Sequence, residues 1–433
     1  MDSAILSLII FGICVVLYIW NKFPISVTAL LGLAAMLLFN IVPFSDGFKN
    51  FGSTTVVLIC GMMVVGKATF NTGLAQLIGN KVIALAKGNE RAIVMLATAL
   101  TAILSAFLSN IATLAMMISI LTGICANNKN VHFKNLIMPV GVASVLGGAA
   151  TLIGSTTQLT AQGIVEEYLG VGNGFSFFTF AGPGFLIIGL FVLFAGFVGY
   201  PLGKKIWGDS ETYDYMPEEK NQKVVEPNTK KMPLMAVIFV IMVILYISCD
   251  WLKTYIPNMN VGTISLCAAI VCVMTGCITH KEAINSINWT VAIWFCASLG
   301  IAAGLNKSGG GALLANSFVS LFGEGISPYM LYVVLVVLVT VLTQFLSNST
   351  VLSIVLPVAF SLTQSMGYNT YAFAVGLTIA GAMAVATPLA NTTIGMTMIA
   401  EYKFSDYMKY GGLMTAIAIV VLLILVPVLW PLV

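Results

Sequence analysis

The sequence predicts an all-α polytopic membrane protein built from two repeats of inverted topology, each with five transmembrane helices and one re-entrant hairpin. Of its 433 residues, 59% are hydrophobic and only 8% are charged. A soluble domain needs about 25% charged residues to cover its surface, so a chain this apolar has to face lipid. Apolar runs of about 20 residues, each enough to cross a bilayer core of about 30 Å, recur along the chain, and short polar motifs recur between its halves.

Ten apolar runs are predicted to cross the membrane. They are residues 3–20, 24–43, 53–70, 135–155, 182–203, 233–251, 261–279, 289–305, 369–388 and 411–432. The first run lacks a basic n-region and a cleavage site, so we interpret it as a membrane helix rather than a signal peptide. Residues 73–87 and 309–322 are shorter and rich in Gly, Ala and Asn, and we expect them to lie along the membrane surface.

Two long stretches, 92–125 and 328–365, are each interrupted near the middle by a polar cluster. A single helix of that length would reach about 50 Å, far more than the bilayer thickness. The clusters, Ser109-Asn110 and residues 347–350, therefore predict two half-helices that meet at a polar tip. Irregular backbone deep in a membrane is tolerated only where protein or a watery cavity satisfies it, so each stretch is predicted to be a re-entrant hairpin inside the protein.

Short motifs repeat in the same order at nearly one offset. The matches are Leu108-Ser109-Asn110 with Leu346-Ser347-Asn348, Ala150-Thr151 with Ala386-Thr387, Thr72-Gly73 with Ser308-Gly309, and Cys60 with Cys296. The first repeat is predicted over 1–206, with hairpin 92–125 and broken helix 135–169, and the second over 233–433, with hairpin 328–365 and broken helix 369–400. Residues 207–232 form the polar linker. Five crossings per repeat is an odd number, so the second repeat must sit upside down relative to the first.

The basic residues predict the orientation in a cell inner (plasma) membrane. With both termini outside and loop 204–232 in the cytoplasm, 15 of the 19 Lys and Arg residues fall on the cytoplasmic side. This asymmetry is the one that membrane proteins show.

Four polar elements are expected to converge: the two hairpin tips and two helix breaks, at 151–157 and 387–393. A break exposes carbonyl oxygens, which suit a hard cation such as Na⁺, and N–H groups, which suit an anion. The predicted Na⁺ ligands are Ser105, Ser109, Asn110, Gly148, Thr343, Ser347, Asn348 and Ala386. The residues predicted to bind a small anionic substrate are Asn110, Ile111, Thr151, Ser155, Thr156, Asn348, Ser349, Thr387, Pro388 and Asn391.

Other classes of protein are disfavoured by the residues inside the apolar runs. No Asp or Glu lies in the middle of a predicted crossing or at a tip, which argues against a carrier driven by a titratable group there. No nucleophile–base pair or metal-ligand spacing falls within the bilayer, so we expect neither an enzyme nor an organic cofactor, and no nucleic-acid partner.

Nearly the whole chain resembles the divalent anion–sodium symporters of the ion-transporter superfamily. Those proteins carry a Ser-Asn-Thr motif at each of two hairpin tips, and the corresponding residues here are Ser109-Asn110-Ile111 and Ser347-Asn348-Ser349. Their Ala-Thr-Pro break is similar to Ala386-Thr387-Pro388, and their Gly-Gly…Thr break to Gly147-Gly148…Thr151. Ile111 stands where the family has a threonine hydroxyl for a carboxylate.

The resemblance implies Na⁺-coupled uptake of a small dianion, such as a C4-dicarboxylate or a sulfate-like ion. It also implies an elevator motion, in which hairpins, broken helices and the last helix of each repeat move against a scaffold that forms a homodimer in the lipid bilayer. A sodium-independent anion exchanger or an oxyanion/cation antiporter of the same superfamily is the alternative within transport. An anion channel is the alternative from a different class.

Overall fold

A computed structural model describes residues 2–20, 22–128, 130–170, 172–208, 228–311, 313, 326–389 and 391–433. Every regular element among these residues is a helix. Most of linker 207–232 and of segment 309–322, which we expected to lie along the membrane surface, falls outside the described residues.

The described residues of the first half form nine main helices. They are α1 (Ser3–Trp20), α2 (Ile25–Leu38), α3 (Thr54–Asn71), α4 (Leu74–Ala84), α5 (Glu90–Ser105), α6 (Asn110–Asn127), α7 (Phe133–Gly148), α8 (Thr156–Leu169) and α9 (Ala181–Trp207, with a π-helical turn at Ala195–Gly199). Short helical pieces, Phe44–Phe48 and Lys49–Gly52, lead into α3. Segment 73–87, predicted to lie along the membrane surface, contains the 11-residue helix α4.

The second half contains another nine main helices in its described part. They are α10 (Met232–Ile247), α11 (Val261–Met274), α12 (His280–Ser286), α13 (Trp289–Ser308), α14 (Pro328–Leu342), α15 (Asn348–Ser365), α16 (Thr370–Gly381), α17 (Thr392–Met396) and α18 (Phe404–Leu429). Short pieces at Thr229–Lys231, Cys249–Leu252 and Thr397–Ala400 adjoin α10 and α17.

Within the described part of the chain, six helical segments are long and apolar enough to span a bilayer by themselves: Phe44–Asn71, Asn110–Asn127, Ala181–Trp207, Thr229–Ile247, Trp289–Ser308 and Phe404–Leu429. The remaining predicted crossings correspond to apolar helices of 10–17 residues. Asn110–Asn127 is one arm of a predicted hairpin rather than a predicted crossing. These helices are consistent with a multi-pass membrane protein.

Several of the predicted helix ends differ from the structure, among them the first broken helix, which ends at Gly148 rather than at 155. Two further differences lie in the second half. The broken helix of the second half ends at Gly381, and its irregular segment starts at Ala382 rather than near Thr387. The last helix begins at Phe404, seven residues before the predicted start at 411. Asp406 accepts a hydrogen bond from the backbone N–H of Lys403 (3.0 Å) and so caps this helix early, a local signal that the apolar pattern does not show.

The two predicted hairpins and broken helices pack together as one group. Helix α5 packs against α7, α15 packs against both α16 and α8, and α17 packs against α6. In a second group, α2 packs against α13 and α3 against α11. A Cβ added to Gly61 would lie 2.8 Å from the carbonyl oxygen of Ser265, so the α3 and α11 backbones touch through a glycine, as is common between membrane helices.

Candidate functional site

The four polar elements singled out in the sequence meet at one cavity of about 270 Å³. Both tips and both breaks contribute to its wall. The polar lining residues are Ser109, Asn110, Ser155, Thr156, Thr157, Ser347, Asn348, Ser349, Asn391, Thr392 and Thr393. None of the described residues that line the cavity carries a charged side chain, so any ion bound there is held by neutral groups and helix dipoles.

Helices α6 and α15 both begin at the cavity. Their N-caps, Ser109 and Ser347, make no side-chain capping hydrogen bond, and the first intrahelical donors are Thr113 and Val351. The backbone N–H groups of the first turns are therefore left for other partners. Two 18-residue helices that present free N–H groups and the positive ends of their dipoles form a site suited to an anion.

Behind each tip lies a small cluster of neutral oxygens. The Ser105 hydroxyl lies 2.7 Å from Oδ1 of Asn110 and 2.7 Å from the carbonyl oxygen of Ser144. In the second half, the Thr343 hydroxyl lies 2.9 Å from Oδ1 of Asn348 and 2.8 Å from the carbonyl oxygen of Gly381. A hydroxyl donates only one hydrogen, so each cluster has more acceptors than donors. Neutral oxygens in excess are suitable ligands for a hard cation.

Glycine is required beside the first cluster. A Cβ at Gly148 would collide with the side-chain amide of Asn110, and a Cβ at Gly154 would lie 2.6 Å from the carbonyl oxygen of Gly148. The end of α7 therefore packs directly against the Asn110 side chain, and the break folds back onto the end of α7 backbone to backbone.

Thr151 and Thr387 are buried behind the cavity rather than in its wall. The Thr151 hydroxyl donates a hydrogen bond to the carbonyl oxygen of Ala106, and the Thr387 hydroxyl donates one to the carbonyl oxygen of Gln344. Both acceptors lie in the turns between the hairpin arms. In this structure the two threonines thus join each break to its hairpin tip.

The second break is supported by a side chain that is not among the predicted site residues. The buried Gln344 amide donates to the carbonyl oxygen of Met383 (3.1 Å) and accepts from the backbone N–H of Ala386 (2.9 Å). These bonds replace the helical ones that are lost after Gly381, which explains why the irregular segment is longer than predicted. Pro388 lies in this segment and has no N–H to satisfy.

At the start of α8 and α17, polar residues cap the helices at the cavity. Ser155 accepts a hydrogen bond from the N–H of Thr157 (3.1 Å), and Asn391 accepts one from the N–H of Thr393 (2.9 Å). The Thr156 hydroxyl lies 3.2 Å from the Ser349 hydroxyl, so the two halves of the chain are in direct contact here.

The predicted site residues divide into two sets. Those that line the cavity are Ser109, Asn110, Ile111, Ser155, Thr156, Ser347, Asn348, Ser349 and Asn391. Those that lie outside its lining are Ser105, Gly148, Thr151, Thr343, Ala386, Thr387 and Pro388. Ser105, Gly148 and Thr343 contact the tip asparagines, so they form a layer immediately behind the lining.

An apolar part of the cavity wall was not predicted. Ile59, Met62 and Met63 of α3, together with Phe107, Leu108, Ile153 and Leu159, also line the cavity. Apolar residues in an apolar helix carry no sequence signal that separates a cavity-facing side chain from a lipid-facing one. The three residues of α3 are identified as cavity-lining only by the packing of that helix beside the tips.

A family model described as a citrate transporter (CitMHS) matches residues 15–378 of the chain. Our expectation of a transporter from the ion-transporter superfamily, rather than an enzyme, is confirmed by this match and by the relatives described below.

Two curated relatives illustrate the range of similarity. An uncharacterized transporter of Haemophilus influenzae is 27% identical over 424 residues, covering 94% of this chain and 88% of the relative. A sodium-dependent dicarboxylate transporter, SdcS, of Staphylococcus saprophyticus is 23% identical over 442 residues, covering 95% of this chain and 84% of the relative.

Two solved structures share the fold at low identity. The YdaH transporter of Alcanivorax borkumensis has a TM-score of 0.64 at 14% identity, with coverage of 91% of this chain and 90% of that chain. MtrF of Neisseria gonorrhoeae, described as belonging to a class of antimetabolite efflux pumps, has a TM-score of 0.61 at 12% identity, with coverage of 93% and 84%. The chain therefore has a known transporter fold.

Proposed function

The chain belongs to the CitMHS citrate transporter family, and we propose that it carries a small dianion across the membrane together with Na⁺. The substrate class we propose is a C4-dicarboxylate or a sulfate-like ion. The observation that carries the proposal is the double role of Asn110 and Asn348. Each starts a helix whose uncapped first turn lines the cavity, and each places its side-chain oxygen in a cluster of neutral oxygens.

Coupling follows from this shared position. A cation among the oxygens behind a tip fixes the asparagine side chain and places a positive charge close to the helix N-terminus. An anion in the cavity then meets both the helix dipole and the cation, so each ion favours binding of the other. A sodium-dependent dicarboxylate transporter among the relatives supports the choice of Na⁺ and of the anion.

The paired contacts in the two halves support the inverted repeat in this proposal. The hydroxyl–asparagine contact at 105 and 110 has its counterpart at 343 and 348. Gly73 and Gly309 have nearly equal positive φ angles of 74° and 76°. With the orientation proposed from the basic residues, both termini are outside and loop 204–232 is in the cytoplasm.

One asymmetry supports an elevator motion. Gly163 of α8 packs against α13, where a Cβ on it would lie 2.6 Å from Cζ of Phe295. At the offset of 236 shown by Cys60 and Cys296, the counterpart of Gly163 is Ile399, which is 41% exposed. In the alternate state we expect Ile399 to pack against α3 and Gly163 to separate from α13. The proposed scaffold, built from α1–α3, α10, α11 and α13, is also the proposed homodimer surface.

Uptake into proteoliposomes tests the function. Radiolabelled succinate and sulfate are offered with an inward Na⁺ gradient, and a matched K⁺ gradient is the control. We expect concentrative uptake of one of these dianions in Na⁺ only. Uptake that needs a counter-anion and not Na⁺ would show that the protein is an exchanger rather than a symporter. Single-channel currents in planar bilayers would show that it is a channel.

A further inference from the structure

The two tips of the cavity differ in chemistry at equivalent positions. Ile111 and Ser349 both follow a tip asparagine, and both line the cavity. Ser349 is buried and its hydroxyl lies 3.2 Å from the Thr156 hydroxyl. The Ile111 side chain, in contrast, is 47% exposed. One tip therefore presents a pair of hydroxyls to a ligand, and the other presents a branched hydrocarbon side chain.

The helix N-termini are nevertheless present at both tips. Helix α15 packs against α8, and α6 packs against α17. The first residues of the long helices α6 and α15 both line the cavity. An anionic group at the Ile111 tip is still attracted by N–H groups and dipoles. The surroundings of that group differ from those at the Ser349 tip. Ile111 offers no hydroxyl donor, and it exposes apolar surface whose contact with water is unfavourable.

On the basis of the proposed function, we propose that the preferred substrate is an organic dianion with an alkyl branch beside one of its two anionic groups, and that Ile111 selects for this branch. The unbranched anionic end binds at Ser349 and Thr156, and the branched end lies at Ile111. A compact ion such as sulfate leaves Ile111 and the apolar wall of Ile59, Met62 and Met63 uncovered, so it loses the hydrophobic part of binding.

The quantity to measure is the change in binding affinity with each methyl group added to the ligand. One methylene in an apolar pocket changes discrimination by about tenfold or more. We therefore expect affinity to rise from sulfate to succinate to 2-methylsuccinate to 2,2-dimethylsuccinate, with about a tenfold gain for the first methyl group.

Ligand-induced thermal stabilisation of the purified full-length chain in Na⁺ tests this order. The wild-type series needs no variant and no transport. Ile111→Thr restores a hydroxyl, and we expect it to raise succinate affinity and remove the preference for the methylated compounds. Ile111→Val is the matched control, and it keeps the wild-type ligand order because it keeps an apolar branched side chain.

Three outcomes would overturn the proposal: sulfate or succinate binding at least as tightly as the methylated compounds, an unchanged ligand order in Ile111→Thr, or no stabilisation by any of the four ligands. Failure of the proposed function is distinguishable from these, because it consists of uptake that does not respond to a Na⁺ gradient, whatever the binding order.

Discussion

The hydroxyl of Thr151 donates a hydrogen bond to the carbonyl oxygen of Ala106, and so ties the first helix break to the turn of the first hairpin. Thr387 makes the same bond to Gln344 in the second half. The two partners of each bond are far apart in the sequence. In both halves, nevertheless, a threonine of the break donates to a carbonyl oxygen of the hairpin turn. The two bonds fix the distance between the break and the tip, the two elements that border the proposed ion sites.

Replacing either threonine by valine should destabilise the protein. Thr151→Val or Thr387→Val removes the donor and leaves a buried carbonyl without it, which costs about 1–3 kcal/mol. Thermal unfolding in detergent measures the loss. Serine variants at both positions keep the hydroxyl and serve as controls, and valine variants with unchanged melting temperatures would contradict the structural role of these bonds.

Alanine at either tip asparagine should abolish Na⁺-stimulated uptake and leave the fold intact. Asn110→Ala and Asn348→Ala each remove an oxygen from a cluster behind the cavity. The measurement is uptake with and without a Na⁺ gradient, combined with thermal unfolding to verify folding. Asn127→Ala, an exposed position at the other end of α6, is the matched control. Normal uptake in both tip variants would refute the site.

The carboxylate of Glu90 should make stability depend on pH. Burial by itself raises the pKa of Glu90, but hydrogen bonds from the His132 backbone, Tyr200 and Asn135 outweigh burial and hold this pKa below its usual value. A lowered pKa in the folded state stabilises the protein at neutral pH, and this stabilisation is lost as the pH falls below about 4.

Glu90→Gln tests this dependence. We expect the variant to be less stable than the wild type at pH 7 and the difference to shrink as the pH falls from about 5 towards 3. Melting temperatures across this range provide the measurement. A difference that stays constant over the range would show that the charge of Glu90 does not contribute.

Removing Lys49 and removing Glu167, the two partners of an ion pair, should lower the stability of the protein by different amounts. Nζ of Lys49 lies 2.9 Å from Oε2 of Glu167, and the lysine side chain is 46% exposed whereas the glutamate side chain is 6% exposed. Lys49→Ala leaves a nearly buried carboxylate without its cation, at a cost of about 1–3 kcal/mol. Glu167→Gln leaves a lysine that water solvates again, so its cost is below about 1 kcal/mol.

A double-mutant cycle measured by thermal unfolding checks this order. Combining Glu167→Gln with Lys49→Ala should recover part of the stability lost in Lys49→Ala alone, because position 167 then no longer carries an unpaired carboxylate. Equal losses in the two single variants would contradict the unequal burial of the partners. The pair joins α8 to the segment before α3, so uptake rates of the same variants also report on the proposed motion.

Several features of the site could be predicted from the sequence because polar residues are conspicuous in an apolar chain. Ser109-Asn110 and Ser347-Asn348 stand out in long apolar stretches, and their backbone irregularity has to be satisfied inside the protein. The structure places both at one cavity. The break in the second half was placed too late, since Gln344 supports an irregular segment from a distant part of the chain.

The sequence by itself determined the all-helical membrane class, the paired motifs at the two tips and breaks, and the inequality of Ile111 and Ser349. These features follow from local composition. Residues that face lipid have to be apolar, and a polar interruption of an apolar segment has to be satisfied by other protein groups or by water. Only the tertiary structure decided that Thr151 and Thr387 bond to hairpin carbonyls behind the cavity, and that Ile59, Met62 and Met63 form part of its wall. A hydroxyl's partner and an apolar side chain's surroundings depend on which helices pack together, and the pattern of residues along one helix does not contain that information.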